Sequence, residues 1–302
     1  MTSNDPASHE ARRGLAAALT AFVIWGLLPV YLRPLRHVDA LEIMANRLVW
    51  CCLFVFAWLA LRGELGQVRA ALANRGTRLR LMATAVLISI NWIVYVWGVT
   101  RGHVIETSLG YFINPLVNVL LGVAVLSERL NRMQWVAVAL AGLGVAYLTW
   151  IAGRAPWIAL VLALSFGLYG FLRKVVDVDA LAGLAAETAL IAPIGAGYLI
   201  FLELSGDGAL GHAGPFVNAL LLGGGPLTAI PLALFAFGAR RVLYATVGLL
   251  QYVGPTLQLL LGVFLYGEPF PAARMIGFGL IWLALIVYAA EGLWRAARAR
   301  VS

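Results

Sequence analysis

Long apolar runs without charged residues determine the class of this protein. The 302-residue chain is 62% hydrophobic and only 12% charged, whereas soluble domains are roughly 45–50% apolar and about 25% charged. A soluble fold cannot bury apolar surface on this scale, but a chain surrounded by lipid requires it. The composition therefore predicts an integral membrane protein.

Ten of these runs are long enough to cross a bilayer, for which a helix needs roughly 17–25 residues. None alternates apolar and polar residues as a half-buried strand does, so we predict an all-α protein with ten transmembrane helices. The predicted spans cover residues 14–32, 41–61, 80–100, 104–126, 133–151, 156–172, 180–202, 215–237, 242–265 and 273–293.

The basic residues lie between the apolar runs and predict the orientation. If the N-terminus is cytoplasmic, the loops on that side hold sixteen Lys and Arg residues, and the opposite side holds five. The positive-inside rule then predicts that both termini lie in the cytoplasm. Because the net charge of +8 is distributed in this way rather than gathered in one patch, we expect the lipid bilayer, and not nucleic acid, as the partner.

The second half of the chain repeats the first. A shift of 140 residues aligns 109–128 with 249–268 without gaps and with seven identities, and Pro115 falls on Pro255. Each repeat contains five spans, so the odd number predicts two inverted five-helix repeats. Inverted repeats are a common architecture of secondary transporters, whose substrate site lies near the midplane between the repeats.

The repeat also predicts the domain organisation. We expect a cytoplasmic N-terminal tail at 1–13, a first repeat at 14–152, a second repeat at 153–294 and a cytoplasmic C-terminal tail at 295–302.

Polar residues on one face of the fourth span predict a substrate pathway. Tyr111, Asn114 and Asn118 recur at intervals of three and four, and the ninth span has a thinner stripe at equivalent positions. Pro115 and Pro255 lie within the stripes, where we expect helix breaks that free backbone carbonyls. The candidate substrate-binding residues are Trp25, Asn91, Tyr95, Tyr111, Asn114, Asn118, Tyr169, Gln251, Tyr252 and Gln258. Interhelical hydrogen bonding without a ligand is the alternative interpretation of the amides.

Two charged residues lie inside predicted spans, where a charge costs roughly 2.5–3.5 kcal/mol on insertion scales. Arg47 and Glu187 differ by 140 residues, so they occupy equivalent positions in the second and seventh spans. One interpretation is structural, as an ion pair or as separately hydrogen-bonded charges. The other is functional, because burial favours the protonated form of a carboxylate and suits Glu187 to proton coupling, with Arg47 or an anionic substrate as its competing partner.

The chain lacks the motifs of ATP-driven pumps, metalloproteins and membrane enzymes. It has no phosphate-binding loop for an ATP-driven pump, no metal-ligand spacing and no catalytic cluster, so we expect no cofactor, no metal site and no enzymatic activity. A small-molecule transporter driven by gradients is the preferred function. An intramembrane enzyme and a channel or sensor are the alternatives.

Specific motifs resemble those of a known transporter group. They are Trp25-Gly26, Arg47, Asn91-Trp92, Ser108-Leu-Gly-Tyr-Phe-Ile-Asn-Pro115, Tyr169-Gly170, Glu187, Gln251-Tyr252 and Gly254-Pro255-Thr256. With these residues the chain resembles the RarD-type permeases of the EamA group in the drug/metabolite transporter superfamily. The resemblance implies a ten-helix inner-membrane carrier with two EamA-type repeats. Similar proteins export amino acids, metabolites or drugs, which makes export the expected direction. Asn46 departs from the pattern, which has His before the Arg, and this weakens a His-assisted proton relay.

Overall fold

The structure, a computed structural model, describes residues 6–126, 132–239, 241 and 250–298, and no strand occurs within these ranges. Their helices are α1 (Pro6–Gly26), α2 (Leu28–Leu32), a 3-10 helix (Arg33–Leu35), α3 (Ala40–Leu61), α4 (Leu65–Ala73), α5 (Arg75–Thr100), α6 (Val104–Leu126), α7 (Arg132–Ala152), α8 (Trp157–Val175), α9 (Ala180–Ser205), α10 (Pro215–Ala239), α11 (Val253–Phe264) and α12 (Ala272–Arg298).

Seven stretches of the described chain are long and apolar enough to cross a membrane. They are Glu10–Leu35, Ala40–Leu61, Arg75–Thr100, Arg132–Ala152, Ala180–Ser205, Pro215–Gly238 and Ala272–Glu291. Two further apolar helices, α8 and α11, are shorter. The chain is therefore an all-helical, multi-pass membrane protein. Residues 242–249, which belong to the predicted ninth span, lie outside the described residues, and α1 already begins at Pro6, within the predicted tail.

Local sequence signals explain where several helices begin and end. Asp39 and Asp179 cap α3 and α9, because their Oδ1 atoms accept hydrogen bonds from the amides of Leu41 (2.9 Å) and Leu181 (3.1 Å). Gly206 ends α9 at a φ of 77°, in the left-handed conformation that favours glycine. The two caps are separated by 140 residues, the period of the sequence repeat.

The helices pack in a few dominant pairs. α3 lies against α9 and α10, and α5 lies against α8 and α9. α6 packs on α8 and α11, α1 on α10 and α11, and α7 on α12. α10 approaches α3 closely at Gly225, where an added Cβ would clash with the carbonyl carbon of Trp50. Small residues of this kind let membrane helices make backbone contacts.

The helix break of the first span lies at Leu27. α1 ends at Gly26 and α2 begins at Leu28, with Pro29 in its first turn. Proline has no amide to bond the carbonyl of Trp25, four residues earlier, and the side chain of Gln258 donates to that carbonyl instead, at 3.1 Å. The freed carbonyl is thus satisfied by a helix from the other half of the sequence.

The structure corrects the predicted break at Pro115, because α6 continues without interruption through this residue. Near Pro255 the helix does break, since Gln251 and Tyr252 form a turn and α11 begins at Val253, with Pro255 in its first turn. α6 remains helical because packed side chains on both sides of Pro115, including Phe112 and Leu116, belong to one buried cluster with α7, α8 and α12. One missing backbone hydrogen bond does not overcome this packing.

Candidate functional site

Arg47 lies in the interior of the bundle with its side chain held on two sides. Arg47 is 8% exposed, and its Nε donates to the hydroxyl of Thr228 on α10 at 2.7 Å. Its Cζ lies 4.6 Å from the ring centroid of Trp92 on α5, a cation–π contact. Within the described ranges no carboxylate lies at ion-pair distance from this guanidinium.

Three phenol groups lie within electrostatic range of the Arg47 guanidinium. Tyr31, Tyr95 and Tyr111 are close enough to interact electrostatically with it. Tyr95 and Tyr111 contact each other with ring centroids 5.8 Å apart, and the Tyr111 hydroxyl donates to Oδ1 of Asn91 at 3.3 Å. Three predicted site residues therefore meet beside Arg47.

Both polar atoms of the Asn91 side chain have partners within the bundle. Its Nδ2 donates to the carbonyl of Leu162 and to the hydroxyl of Ser165 on α8, both at 3.0 Å. Its role in this arrangement is interhelical, as the alternative interpretation of the amides requires. Tyr95 differs, because its buried hydroxyl has no hydrogen-bond partner in the described part of the protein.

A small cavity lies between Arg47 and the first helices. It is lined by aliphatic side chains of α2, α3 and α10, including Leu28, Ile43 and Leu221, and by Tyr31. Its volume of about 10 Å³ is that of a single water-sized void. A wider, open apolar groove of about 350 Å³ shares Tyr31 and Leu28 with this cavity.

Glu187 forms a second buried centre. It is 2% exposed, and it accepts hydrogen bonds from Thr84 of α5 at 2.8 Å and from Tyr169 of α8 at 3.3 Å. Nε of Arg173 lies 3.6 Å from its carboxylate. Glu187 is therefore neutralised by a basic residue from α8.

Arg47 and Glu187 do not pair with each other. Each lies seven residues after the first residue of its helix, α3 or α9. The two helices run antiparallel, since Glu42 near the start of α3 bonds the chain just beyond the end of α9. At about 1.5 Å per residue, each charge lies roughly 10 Å from an opposite end of the helix pair.

The remaining predicted site residues have separate positions. Trp25 and Gln258 meet through the backbone bond described above, and Oε1 of Gln258 is buried without a partner in the described structure, as is Oδ1 of Asn114. Gln251 and Tyr252 lie in the turn before α11, where Tyr252 packs on the cluster of α6, α7 and α12. The side chain of Asn118 lies outside the described residues.

Three carboxylates join the two halves of the sequence at one end of the bundle, which we call the clasped end. Oε1 of Glu42 accepts from the amides of Ala209 (2.7 Å) and Leu210 (3.2 Å). Oε1 of Glu106 accepts from the amide of Ile158 at 3.1 Å, in the first turn of α8.

Glu268 is the third carboxylate of the clasped end. It accepts hydrogen bonds from the amides of Val104 and Ile105, which open α6. Burial raises the pKa of the Glu268 carboxyl. The two amide donors favour the ionised form and lower this pKa, but the effect of burial is larger. The hydroxyl of the neighbouring Tyr266 donates to the carbonyl of Pro29 at 2.8 Å, and burial raises the pKa of this tyrosine to about 12.

Comparisons with known proteins identify the family. The EamA-like transporter family matches residues 12–150, close to the predicted first repeat. An uncharacterized transporter of Pseudomonas aeruginosa is 44% identical over 97% of this chain and 98% of its own length. Protein RarD of Escherichia coli is 38% identical over 95% of this chain and 97% of its own length. The chain belongs to the RarD-type permeases of the EamA-like transporter family.

This RarD-type permease is therefore a membrane transporter. The chloramphenicol-sensitive protein RarD of Pseudomonas aeruginosa is a more distant relative, 31% identical over 91% of this chain and 93% of its own length. A solved crystal structure is similar in fold, with a TM-score of 0.59 at 18% identity, over 91% of this chain and 96% of that one.

Several partners of the two charges in this RarD-type permease were missed by the sequence analysis. Thr84 and Thr228 are single polar residues within apolar runs, and no periodic pattern distinguishes them from ordinary helix residues. Arg173 falls one residue beyond the predicted sixth span, 156–172, so it counted as a loop residue. Tyr31 lies at the end of the first span, a position typical of interfacial aromatics.

Proposed function

We propose that this RarD-type permease is a secondary transporter that moves a small metabolite or drug-like molecule across the cytoplasmic membrane by alternating access. In this proposal ten helices form two inverted five-helix repeats, both termini are cytoplasmic, and export is the direction of transport.

The helix packing supports the two-repeat architecture. Exchange of the repeats converts α1 to α8, α3 to α9, α5 to α10, α6 to α11 and α7 to α12. Under this exchange the contact of α1 with α10 becomes the contact of α8 with α5. The contact of α3 with α10 becomes the contact of α9 with α5, and all four contacts occur in the structure. The pairs α3–α9, α6–α11 and α7–α12 convert into themselves. A pseudo-two-fold axis gives this pattern.

One observation carries the transport proposal: each of the two repeat-equivalent charges bonds a threonine of the other half of the chain. Arg47 belongs to the first repeat and bonds Thr228 of the second, and Glu187 belongs to the second and bonds Thr84 of the first. Rocking of one repeat against the other changes both bonds. The charge state of the interior is thereby coupled to the motion that exposes the site to either side.

Glu187 supports proton coupling in this mechanism. A proton on its carboxylate weakens the attraction to Arg173, and loss of the proton restores the ion pair. A transporter that alternates between these two states couples proton movement to the rearrangement of α5, α8 and α9.

Reconstitution of the purified protein in proteoliposomes tests the proposal. We expect saturable flux of at least one compound from a panel of metabolites and drugs, and acceleration of labelled efflux by unlabelled compound on the opposite side. The panel includes chloramphenicol because of the name of one relative. Empty liposomes are the control. Flux that rises linearly without saturation indicates a channel, and chemical conversion of a panel compound without flux indicates an enzyme; either result overturns the proposal.

A further inference from the structure

The two repeat-equivalent charges are compensated differently. Glu187 has the guanidinium of Arg173 at 3.6 Å. Within 6–126, 132–239, 241 and 250–298 Arg47 bonds a hydroxyl and stacks on an indole ring, and no carboxylate faces it from α3, α5, α6 or α10. A buried charge without a counter-ion is costly, and a bound anion removes that cost.

The guanidinium of Arg47 is oriented to receive such an anion. Thr228 accepts from Nε and Trp92 covers one face of the guanidinium plane, and in the described part of the protein the two terminal nitrogens donate no hydrogen bond. Paired terminal donors of an arginine match the two oxygens of a carboxylate.

A second unsatisfied donor lies within electrostatic range of this charge. The hydroxyl of Tyr95 is buried, has no partner in the described structure, and belongs to a residue that is 2% exposed. Tyr95 is within electrostatic range of Arg47. Buried hydroxyls without a partner are rare in folded proteins, so an orphan donor beside an uncompensated cation indicates that an anionic acceptor binds between them.

The walls around this point are apolar. Leu28, Ile43, Leu221 and Leu227 line the small cavity beside Arg47. Tyr31, Leu28 and Leu227 line both this cavity and the open groove of about 350 Å³. The Tyr31 hydroxyl donates to the carbonyl of Leu220 on α10.

We propose that Arg47 and Tyr95 bind the carboxylate of a small organic anion whose apolar body lies between α2 and α10. This inference rests on the proposed function, because it names the substrate class of that site. Entry of the anion displaces Tyr31 from Leu220 and joins the cavity to the groove. The carboxylate then provides the counter-charge that Arg47 lacks. The apolar body takes the place of contacts between the leucine side chains that line the cavity.

Binding of matched probes to the purified full-length protein in detergent tests this assignment, with intrinsic tryptophan fluorescence as the readout. The probes form two series, each with one apolar body and an anionic, a neutral amide or a cationic head. The first series is phenylacetate, phenylacetamide and phenethylammonium, and the second is hexanoate, hexanamide and hexylammonium. We expect at least one anion to bind about tenfold or more tightly than its amide, and the ammonium compounds to bind least.

Variants locate the binding to Arg47. Arg47→Gln is expected to lose about tenfold or more in affinity for the anion, Arg47→Lys to lose less, and Tyr95→Phe to lose severalfold. Arg101→Gln removes one exposed positive charge elsewhere and is expected to bind as the parent does. Circular dichroism and size-exclusion profiles report folding. If Arg47→Gln does not fold, Arg47→Lys and Tyr95→Phe still test the site.

The assignment is overturned if no anion binds, if an amide or ammonium compound binds as tightly as its anion, or if the folded Arg47 and Tyr95 variants bind unchanged. These results are independent of transport. Anion binding without saturable flux contradicts the transport proposal alone, whereas saturable flux of neutral or cationic compounds contradicts the anion assignment alone.

Discussion

Glu187 links three helices through a single carboxylate, since Thr84, Tyr169 and Arg173 all contact it. We expect Glu187→Gln to abolish the pH dependence of transport, because an amide keeps the shape of the side chain and one acceptor oxygen but cannot take up or release a proton. The measurement is the initial rate of flux in proteoliposomes across a pH series.

Glu64→Gln is the matched control for this variant. Glu64 is a partly exposed carboxylate in a surface ion pair with Arg62, with 3.0 Å between Nε and Oε1. This control is expected to keep the pH profile of the parent. A Glu187→Gln protein whose rate still varies with pH as the parent does would exclude Glu187 as the coupling group.

Thr228 makes a second prediction at the residue scale. Its hydroxyl accepts from Nε of Arg47 and donates to the carbonyl of Gly224 at 2.8 Å. Thr228→Val keeps the shape but removes the acceptor, so we expect the free energy of unfolding in detergent to fall by about 1–2 kcal/mol. Thr228→Ser keeps the hydroxyl, so we expect its free energy of unfolding to fall by less. Equal stability of the Val and Ser variants would mean that this hydrogen bond is not a significant contribution.

Among the elements, α6 depends on a carboxylate outside its own sequence. Its first amides, of Val104 and Ile105, bond Glu268, and the negative charge also favours the helix N-terminus. We expect Glu268→Ala to raise amide hydrogen exchange in the first turn of α6 about tenfold or more. Glu268→Gln is expected to have a smaller effect, because one carbonyl oxygen remains as an acceptor.

Glu203→Ala is the control for the Glu268 variants. Glu203 is an exposed carboxylate near the same end of the bundle, where it contacts His212 at 3.1 Å. We expect no change of exchange in α6 for this variant. Unchanged exchange at Val104 and Ile105 in Glu268→Ala would contradict the capping role of Glu268.

The elements also indicate how far the sequence predicts such a fold. Apolar length predicts helices reliably, because lipid requires every backbone group to bond within its own segment. The 140-residue register predicted that Arg47 and Glu187 are equivalent. The partners of these charges depend on helix rotation and on which helices touch, and a linear sequence contains neither quantity.

The position of a residue in the sequence does not by itself determine its structural role. Glu106 and Glu268 lie near predicted helix ends, where a carboxylate either extends to the headgroups or bonds a neighbouring helix. Pro29 and Pro115 both lie in apolar runs, yet the chain breaks only near Pro29. Packing around each residue determines these outcomes, and it arises only when distant segments meet.

At the scale of the whole molecule, the clasped end and α4 lie at opposite ends of the bundle. Five predicted spans, from the third to the seventh, separate Gln67 in α4 from Ala213 between α9 and α10. In the proposed ten-span architecture this odd number of crossings places the two residues on opposite sides of the membrane. The excess of Lys and Arg then predicts that Gln67 lies in the cytoplasm and that Ala213, with the clasped end, lies outside.

Thiol labelling with a membrane-impermeant maleimide tests this orientation. Both positions are exposed and uncharged, so Gln67→Cys and Ala213→Cys leave the charge distribution unchanged. We expect Ala213→Cys to react in intact cells and Gln67→Cys to react only in inside-out vesicles. The unaltered chain measures the background of its own thiols, of which Cys51 is buried. Labelling of both variants from the same side would contradict the five intervening spans, and labelling from exchanged sides would invert the orientation and require the clasped end to face the cytoplasm.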